Sequence, residues 1–199
     1  YYLATTYGTK ALLDLANTTV TLRTLGEEVP DADIAVAKFT LALNQPFINM
    51  VGSTLTLTGV GEDLVEFGDD VAPIPTERGV GLIATGSTIN LKGRLLDLDA
   101  VNSTATQALV QLTNTTVNQT ETTLALVSVD PDGLAVTMAG PLFKSTGSKV
   151  TTTGPVFHFQ DGNLSSNTTD PFLSFNPSEV TSARNFLLLD KSFALSLKG

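Results

Sequence analysis

The sequence predicts an all-β protein, a right-handed parallel β-solenoid of about six coils of roughly 30 residues, with two strand motifs per coil, in one domain over residues 1–199. Three observations predict this fold. A motif of about 14 residues recurs along the chain, its copies alternate between two kinds, and no segment sustains the apolar period of a helix. Because successive coils place equivalent residues one strand spacing apart, like side chains are expected to stack on like.

The repeated motif is clearest at residues 46–59 and 141–154, which both begin with proline. In these segments apolar or small residues occupy the second, third, fifth and tenth positions. Copies begin near Ala11, Ala32, Pro46, Asp63, Val80, Arg94, Ala108, Thr123, Pro141, Pro155, Pro171 and Asn185. Two copies to a coil predict a solenoid of about six coils.

The odd-numbered copies differ from the even-numbered ones at the eighth position, where each odd copy has a hydroxyl residue. These residues are Thr18, Ser53, Ser87, Thr115, Ser148 and Ser178. Each follows a residue of a turn-forming set, Asn17, Gly52, Gly86, Asn114, Gly147 and Pro177. Asn and Gly tolerate positive φ, so this set predicts a corner of the coil.

Three buried stacks of apolar residues are expected from this alignment, with consecutive members about 4.8 Å apart. The first contains Val20, Leu55, Ile89, Val117, Val150 and Val180. The second contains Leu13, Ile48, Leu82, Val110, Phe143 and Leu173. The third contains Ile34, Val65, Leu96, Ala125, Phe157 and Leu187. Adjacent apolar pairs such as Phe47-Ile48 are expected at corners, where both side chains can point inward.

Insertions at residues 25–31 and 68–79 are predicted to leave the coil as surface loops, because a solenoid accommodates extra residues at its corners. The two insertions carry many of the acidic residues of the chain.

Composition and charge exclude several classes of function. A formal net charge of −9 makes nucleic acids and anionic lipid surfaces unfavourable partners. The lack of cysteine excludes disulfides and thiolate metal sites, and a single histidine, His158, excludes zinc sites built from several imidazoles. No apolar run reaches the ~18 residues of a membrane span. Few charged residues and abundant Thr, Ser, Asn and Gly are typical of repetitive secreted proteins, so an extracellular or cell-surface location is expected.

Two similar segments begin at the corner glycines, Gly-Ser-Thr-Leu-Thr-Leu at 52–57 and Gly-Ser-Thr-Ile-Asn-Leu at 86–91. Two later copies of the motif begin with Pro-Leu-Phe at 141 and Pro-Phe-Leu at 171. In these segments the chain resembles, over residues 11–199, the β-strand-repeat regions of filamentous-haemagglutinin-like bacterial exoproteins. The resemblance implies an exported right-handed β-helix that serves as an adhesin, a fibre or a stalk.

Candidate catalytic and metal-binding residues are few. Gly68-Asp69-Asp70 offers adjacent carboxylates of the kind used in glycoside hydrolysis, but a solvated acidic loop explains them better. The acidic insertions leave a calcium site open, although neither has the spacing of an EF-hand or a calcium β-roll. No catalytic residue, metal ligand or cofactor is therefore predicted.

Three further features have simple structural explanations. His158, between Phe157 and Phe159, is expected to point outward as a lone surface histidine. Thr54-Leu-Thr56-Leu-Thr58 resembles an ice-binding array, but Asn90, Lys92, Asn118 and Arg184 are expected at the matching positions of other coils, which argues against that function. Asn-x-Ser/Thr sequons occur at Asn17, Asn102, Asn114, Asn118, Asn163 and Asn167, and the polar composition of the repeat explains most of them.

The sequence thus predicts a structural or adhesive module of a secreted fibre that is not an enzyme. Both ends of the solenoid are expected to lack a cap, so that they continue into further coils of a parent chain or stack end to end on copies of the same chain. A host or cell-surface receptor or glycan is the other expected partner. The alternative is a carbohydrate-active β-helix enzyme, whose outer face would gather several carboxylates with a Lys or Arg in one groove.

Overall fold

The computed structural model describes residues 11–22, 41–68 and 76–198. Within these residues the chain forms 22 short β-strands and no helix. The sequence favours strands here because β-branched and aromatic side chains prefer extended backbone. Apolar and polar residues also alternate along the strands, as inward and outward side chains must.

The strands form four sheets. Sheet I contains β1 (Leu13–Ala16), β3 (Pro46–Val51), β7 (Val80–Thr85), β11 (Val110–Thr113), β15 (Phe143–Thr146) and β19 (Leu173–Phe175). Sheet II contains β2 (Thr19–Leu22), β4 (Thr54–Leu57), β8 (Thr88–Leu91), β12 (Thr116–Gln119), β16 (Lys149–Thr152) and β20 (Glu179–Ser182). Sheet III contains β5 (Glu66–Phe67), β9 (Leu96–Asp99), β13 (Val127–Asp130), β17 (Phe157–Phe159) and β21 (Leu187–Leu189). Sheet IV contains β6 (Thr76–Glu77), β10 (Asn102–Ser103), β14 (Ala135–Met138), β18 (Gly162–Ser166) and β22 (Phe193–Leu197).

This arrangement is a parallel β-solenoid of about five turns. Neighbouring strands in every sheet belong to successive coils and run parallel. The coil length is the sequence separation of equivalent residues in neighbouring coils. It ranges from 28 residues, between Ser87 and Thr115, to 35 residues, between Thr18 and Ser53. The predicted fold class and coil length are confirmed. Each predicted motif contains two strands separated by a corner, so that two motifs give four strands per coil.

The first two predicted stacks are confirmed. Register partners in sheet II are, in order, Val20, Leu55, Ile89, Val117, Val150 and Val180. Those in sheet I are Leu13, Ile48, Leu82, Val110, Phe143 and Leu173. The inner members of the first stack are fully buried, whereas the members at its two ends are half-buried because they have a neighbour on one side only.

The third predicted stack is wrong at one coil. Leu96 pairs with Val127 and not with Ala125. Val127 pairs in turn with Phe157, and Phe157 pairs with Leu187, as expected. The predicted alignment was therefore two residues out of register at the start of β13.

An enlarged corner before β13 explains this shift. There the Glu121 carboxylate accepts hydrogen bonds from the backbone N–H groups of Thr122 (2.8 Å) and Thr123 (2.9 Å). This small loop contains the three residues by which this corner exceeds the equivalent corners of the neighbouring coils, and the strands on both sides keep their pairing. Of the remaining members of the stack, Val65 is fully buried just before β5, and Ile34 lies outside the described residues.

The predicted loop over residues 68–79 is wrong near its end. Thr76–Glu77 is strand β6 and pairs in parallel with Asn102–Ser103. It is the terminal strand of sheet IV, and Glu77 is buried. Residues 69–75 and the whole 25–31 insertion lie outside the described residues.

The inward side chains of all four sheets form one hydrophobic core. Phe47 and Ile48, adjacent in sequence, are both fully buried as predicted, although both lie within strand β3. Aromatic rings connect different sheets within the core: the ring centroids of Phe143 and Phe157 are 5.5 Å apart in an edge-to-face arrangement.

The corner between sheets I and II has the same backbone conformation in coil after coil. Positive φ angles occur at Asn17 (51°), Gly52 (59°), Gly86 (58°), Asn114 (49°) and Gly147 (61°). Five of the six members of the predicted turn-forming set therefore adopt the left-handed conformation; Pro177, whose ring fixes a negative φ, does not. Such a residue reorients the next backbone N–H, which needs an acceptor other than a strand carbonyl.

The hydroxyl residues that follow these corners supply that acceptor and form a hydroxyl ladder through the solenoid. Each of the first five residues donates its backbone N–H to the side-chain oxygen of its equivalent in the next coil, at 3.0–3.5 Å. The order is Thr18, Ser53, Ser87, Thr115, Ser148 and Ser178. The four inner hydroxyls also donate to the carbonyl two residues earlier in their own chain, at 2.9–3.0 Å. Each hydroxyl thus satisfies buried backbone groups that the corner leaves without partners.

Replacing one hydroxyl of the ladder by a methyl group tests its contribution to stability. We expect Thr115→Val, which keeps the side-chain shape, to lower the free energy of unfolding by about 1–3 kcal/mol, because it leaves buried polar groups without partners. Thr116→Val, at the adjacent outward position, is the matched control and should change stability much less. Chemical denaturation followed by circular dichroism measures both. Equal effects of the two substitutions would contradict a structural role for the ladder.

Candidate functional site

Strand β9 places two carboxylates on the outer surface of sheet III. Its sequence, Leu-Asp-Leu-Asp, alternates so that Leu96 and Leu98 enter the core while Asp97 and Asp99 point outward. The parallel register then brings together residues that are distant in sequence. Asp99 pairs with Asp130 of the next coil.

A second row on the same surface also carries polar side chains. Asp97 pairs with Glu66 of the preceding coil and with Ser128 of the following one, and Ser128 pairs with His158. The acidic face is defined here as the outward residues of sheet III, Glu66, Asp97, Asp99, Asp130 and His158, together with Arg94 beside them.

Arg94 forms two ion pairs at one side of the acidic face. Its Nη1 donates to Asp63 Oδ2 at 3.0 Å and to Asp97 Oδ2 at 2.7 Å. The other oxygen of Asp97, Oδ1, is buried without a hydrogen-bond partner, and the whole residue is only 7% exposed. A buried carboxylate oxygen without a donor is unfavourable, so the site retains an unused acceptor.

Asp99 has a strongly raised pKa. Burial raises the pKa of Asp99 to about 8, and the negative charges of Asp97, Glu66 and Asp130 add to the effect. Its carboxyl group is therefore protonated at neutral pH and can donate a proton. Asp130, its register partner, instead accepts hydrogen bonds from the Gln160 side chain and from the backbone N–H of Asp132.

His158 points outward between two fully buried phenylalanines, as predicted. It is not isolated, however, because its Nε2 lies 3.3 Å from Asp190 Oδ1 in the next coil. This imidazole extends the polar surface of sheet III towards the last coil.

Sequence reasoning found only part of this site. It singled out Asp69 and Asp70, which lie outside the described residues, interpreted Asp130 only as the start of the turn Asp130-Pro-Asp-Gly133, and gave no role to Asp97 or Asp99. The signal was present in the alternation of the Leu-Asp-Leu-Asp strand, but recognising the site also requires the register between coils.

The remaining predictions about chemistry concern metals, membranes and sequons. Among the residues that the structure describes, no three His, Cys, Asp or Glu side chains are arranged to hold a metal ion. No helix in the described part of the chain is long and apolar enough to cross a membrane. Two of the sequon asparagines hydrogen-bond between coils: Asn118 Nδ2 donates to Asn90 Oδ1 at 3.0 Å, and Asn102 Oδ1 accepts from the Thr137 N–H at 2.8 Å.

Comparison with known proteins does not assign a family. No family model, no curated protein and no solved structure matches the chain. What is established is the fold, a parallel β-solenoid with the character of a repeat structural module.

The raised pKa of Asp99 predicts how stability depends on pH. A carboxyl group with a higher pKa in the folded than in the unfolded state binds its proton more tightly when folded, so stability falls as pH rises through the folded pKa. Burial also raises the pKa of Glu77, in β6, to about 7. We therefore expect the thermal midpoint to fall between about pH 5 and about pH 9.

The Asp99→Asn variant should flatten the upper part of this pH dependence, because it removes the group that titrates. Asp170→Asn, at an exposed position, makes the same change of formal charge and is the control for general repulsion in this acidic chain. Thermal melts across the pH range measure both. A slope that both variants reduce equally would show that net charge, and not Asp99, is responsible.

Proposed function

We propose that the chain is a structural and adhesive module of a secreted or cell-surface fibre, comparable to the β-strand-repeat regions of filamentous-haemagglutinin-like exoproteins. In this function the solenoid provides length and surface. Its ends contact further coils, and its outer faces contact a receptor or glycan. The main support is the exposed apolar interior of the last described coil.

Two leucines of β21 show how this coil is exposed. Leu187 and Leu189 lie in register with Phe157 and Phe159, which are fully buried. The leucines therefore belong to the interior stacks, yet they are 39% and 51% exposed. They are exposed because no described coil lies beyond them.

The rest of the last coil has the same character. Each of its strands, β19 to β22, is the terminal strand of its sheet, so one edge of its backbone lacks a neighbouring strand. Phe186 and Leu197 are also 44% and 52% exposed. Unpaired strand edges combined with exposed apolar side chains form a surface that favours the addition of another strand layer.

A further coil is the partner that fits this surface best, because it would continue both the backbone hydrogen bonds and the apolar stacks. Burying the exposed half of each leucine contributes about 1 kcal/mol. In the parent fibre this coil belongs either to the same polypeptide or to a second copy. The net charge of −9 would keep the sides of such fibres apart while their ends associate.

Self-association of the 199-residue chain tests this proposal. We expect sedimentation velocity to show oligomers that grow with protein concentration. Leu189→Lys should shift the distribution to monomers, because it places a charge in the contact. Leu134→Lys, at a leucine that is 43% exposed away from this end, is the matched control and should leave association unchanged. A wild-type chain that stays monomeric at high concentration would contradict end-to-end assembly.

A second candidate function, hydrolysis of a glycosidic bond, is favoured by the acidic face. Asp97 and Asp99 lie two residues apart on one strand and point to the same side of the sheet, and inverting glycosidases also act through two carboxyl groups at one site. The protonated Asp99 would act as the general acid. Arg94 also meets the expectation that an enzyme gathers a cation among its carboxylates.

Release of reducing ends from a panel of neutral polysaccharides tests this second candidate. We expect Asp99→Asn to abolish release, because the amide cannot donate a proton to the leaving oxygen, while Asp170→Asn retains it. No release by the wild-type chain on any polymer, or equal rates for the two variants, would reject hydrolysis at the acidic face and leave the structural function.

A further inference from the structure

The outer surface of sheet II carries two straight rows of small polar side chains, called here the threonine face. The first row, in register order, is Thr19, Thr54, Thr88, Thr116, Lys149 and Glu179. The second row is Thr21, Thr56, Asn90, Asn118, Thr151 and Thr181. Every member of the two rows over the first four coils is Thr or Asn.

This regularity exceeds what the sequence predicted. Asn90 and Asn118 do interrupt the second row, as expected, but the first row is Thr in four successive coils. Arg184 does not lie in either row, because the pairing of Thr152 with Ser182 aligns it with Gly154. Of the four expected interruptions only Arg184 is therefore misplaced, and threonine is continuous over the first four coils in the first row alone.

The rows repeat in two directions. Equivalent residues of neighbouring coils lie about 4.8 Å apart, and the two rows lie about 6.7 Å apart because their members are separated by two residues on a strand. A single soluble polymer chain repeats in one direction only. A surface that repeats in two directions matches a partner that is itself a lattice.

The backbone and side chains of the threonine face are held in place. The opposite side of the same strands carries Leu55, Ile89 and Val117, which are fully buried. On the face itself, Asn118 Nδ2 donates to Asn90 Oδ1 at 3.0 Å, and Asn90 Nδ2 donates to Thr56 Oγ1 at 3.3 Å. Side chains that are already ordered lose little conformational entropy when they contact a partner.

Charge narrows the choice of partner. In a chain with a net charge of −9, the two rows carry no charged residue over the first four coils. The charges in the last two coils, Lys149 and Glu179, are register partners with Nζ and Oε1 3.6 Å apart. An uncharged partner therefore suits the threonine face better than an ionic one.

We propose that the threonine face binds ice. Threonine presents a hydroxyl that can replace a lattice water and a methyl group that favours contact with ordered water. The spacings within and between the rows are close to the repeats of oxygen atoms on the prism face of hexagonal ice. Water positioned by a rigid, neutral array costs little further ordering when it joins the crystal.

Partition of the full 199-residue chain into slowly growing ice tests this inference, together with thermal hysteresis. The wild-type chain is expected to enter the ice and to depress the freezing point relative to the melting point. Thr88→Tyr and Thr116→Tyr, which insert a bulky ring into the first row, should abolish both effects. Lys144→Tyr, at an exposed outward position on sheet I, is the control and should retain them.

Circular dichroism melts of all three variants ensure that loss of ice binding is not loss of folding. Exclusion of the folded wild-type chain from ice would overturn the proposal, as would equal losses in Thr88→Tyr and Lys144→Tyr. Pelleting with crystalline cellulose or chitin is measured in parallel. Binding to such a polymer, prevented by Thr88→Tyr, without entry into ice would also overturn it and assign the threonine face to a crystalline polysaccharide.

Discussion

The in-register stacking of one coil on the next is the constraint on which the rest of the structure depends. Backbone hydrogen bonds between parallel strands fix this register, and the hydroxyl ladder maintains it at the corner where the backbone turns away from regular pairing. Because each side chain then lies beside its equivalents in the adjoining coils, any residue type that recurs in the repeat becomes a continuous row. The core stacks, the threonine face and the acidic face are all products of the same geometry.

Stacking has opposite consequences on the inside and the outside of the solenoid. Inside, aliphatic side chains of similar size pack closely and exclude water. Outside, hydroxyl and amide rows form hydrogen bonds with one another, but carboxylates in register repel. In sheet III this repulsion is relieved by Arg94, by the Gln160 amide and by protonation of Asp99. Such a surface is unfavourable for a purely structural module, which is why the acidic face remains a candidate for chemistry.

The same geometry explains why the last coil is exposed. Interior residues of a solenoid are covered by the coils before and after them, so the residues of a terminal coil have half of their neighbours. Leu187 and Leu189 have the sequence of core residues and the exposure of surface residues. The terminal coil therefore presents a layer of interior side chains, whereas the exposed apolar residues elsewhere in the described part of the chain, such as Val60 and Leu134, do not belong to the interior stacks.

The sequence by itself determined the repeat, the corner with its hydroxyl residues and the stacks of sheets I and II. These features could be predicted because the segment that joins the two stacks has the same length in each coil. Val20 lies seven residues after Leu13, and Val117 lies seven residues after Val110. The tertiary structure alone decided the register of sheet III, where Val127 and not Ala125 meets Leu96, because the corner before it varies in length and only the hydrogen bonds between coils fix the pairing. For the same reason it alone brought Asp99 beside Asp130.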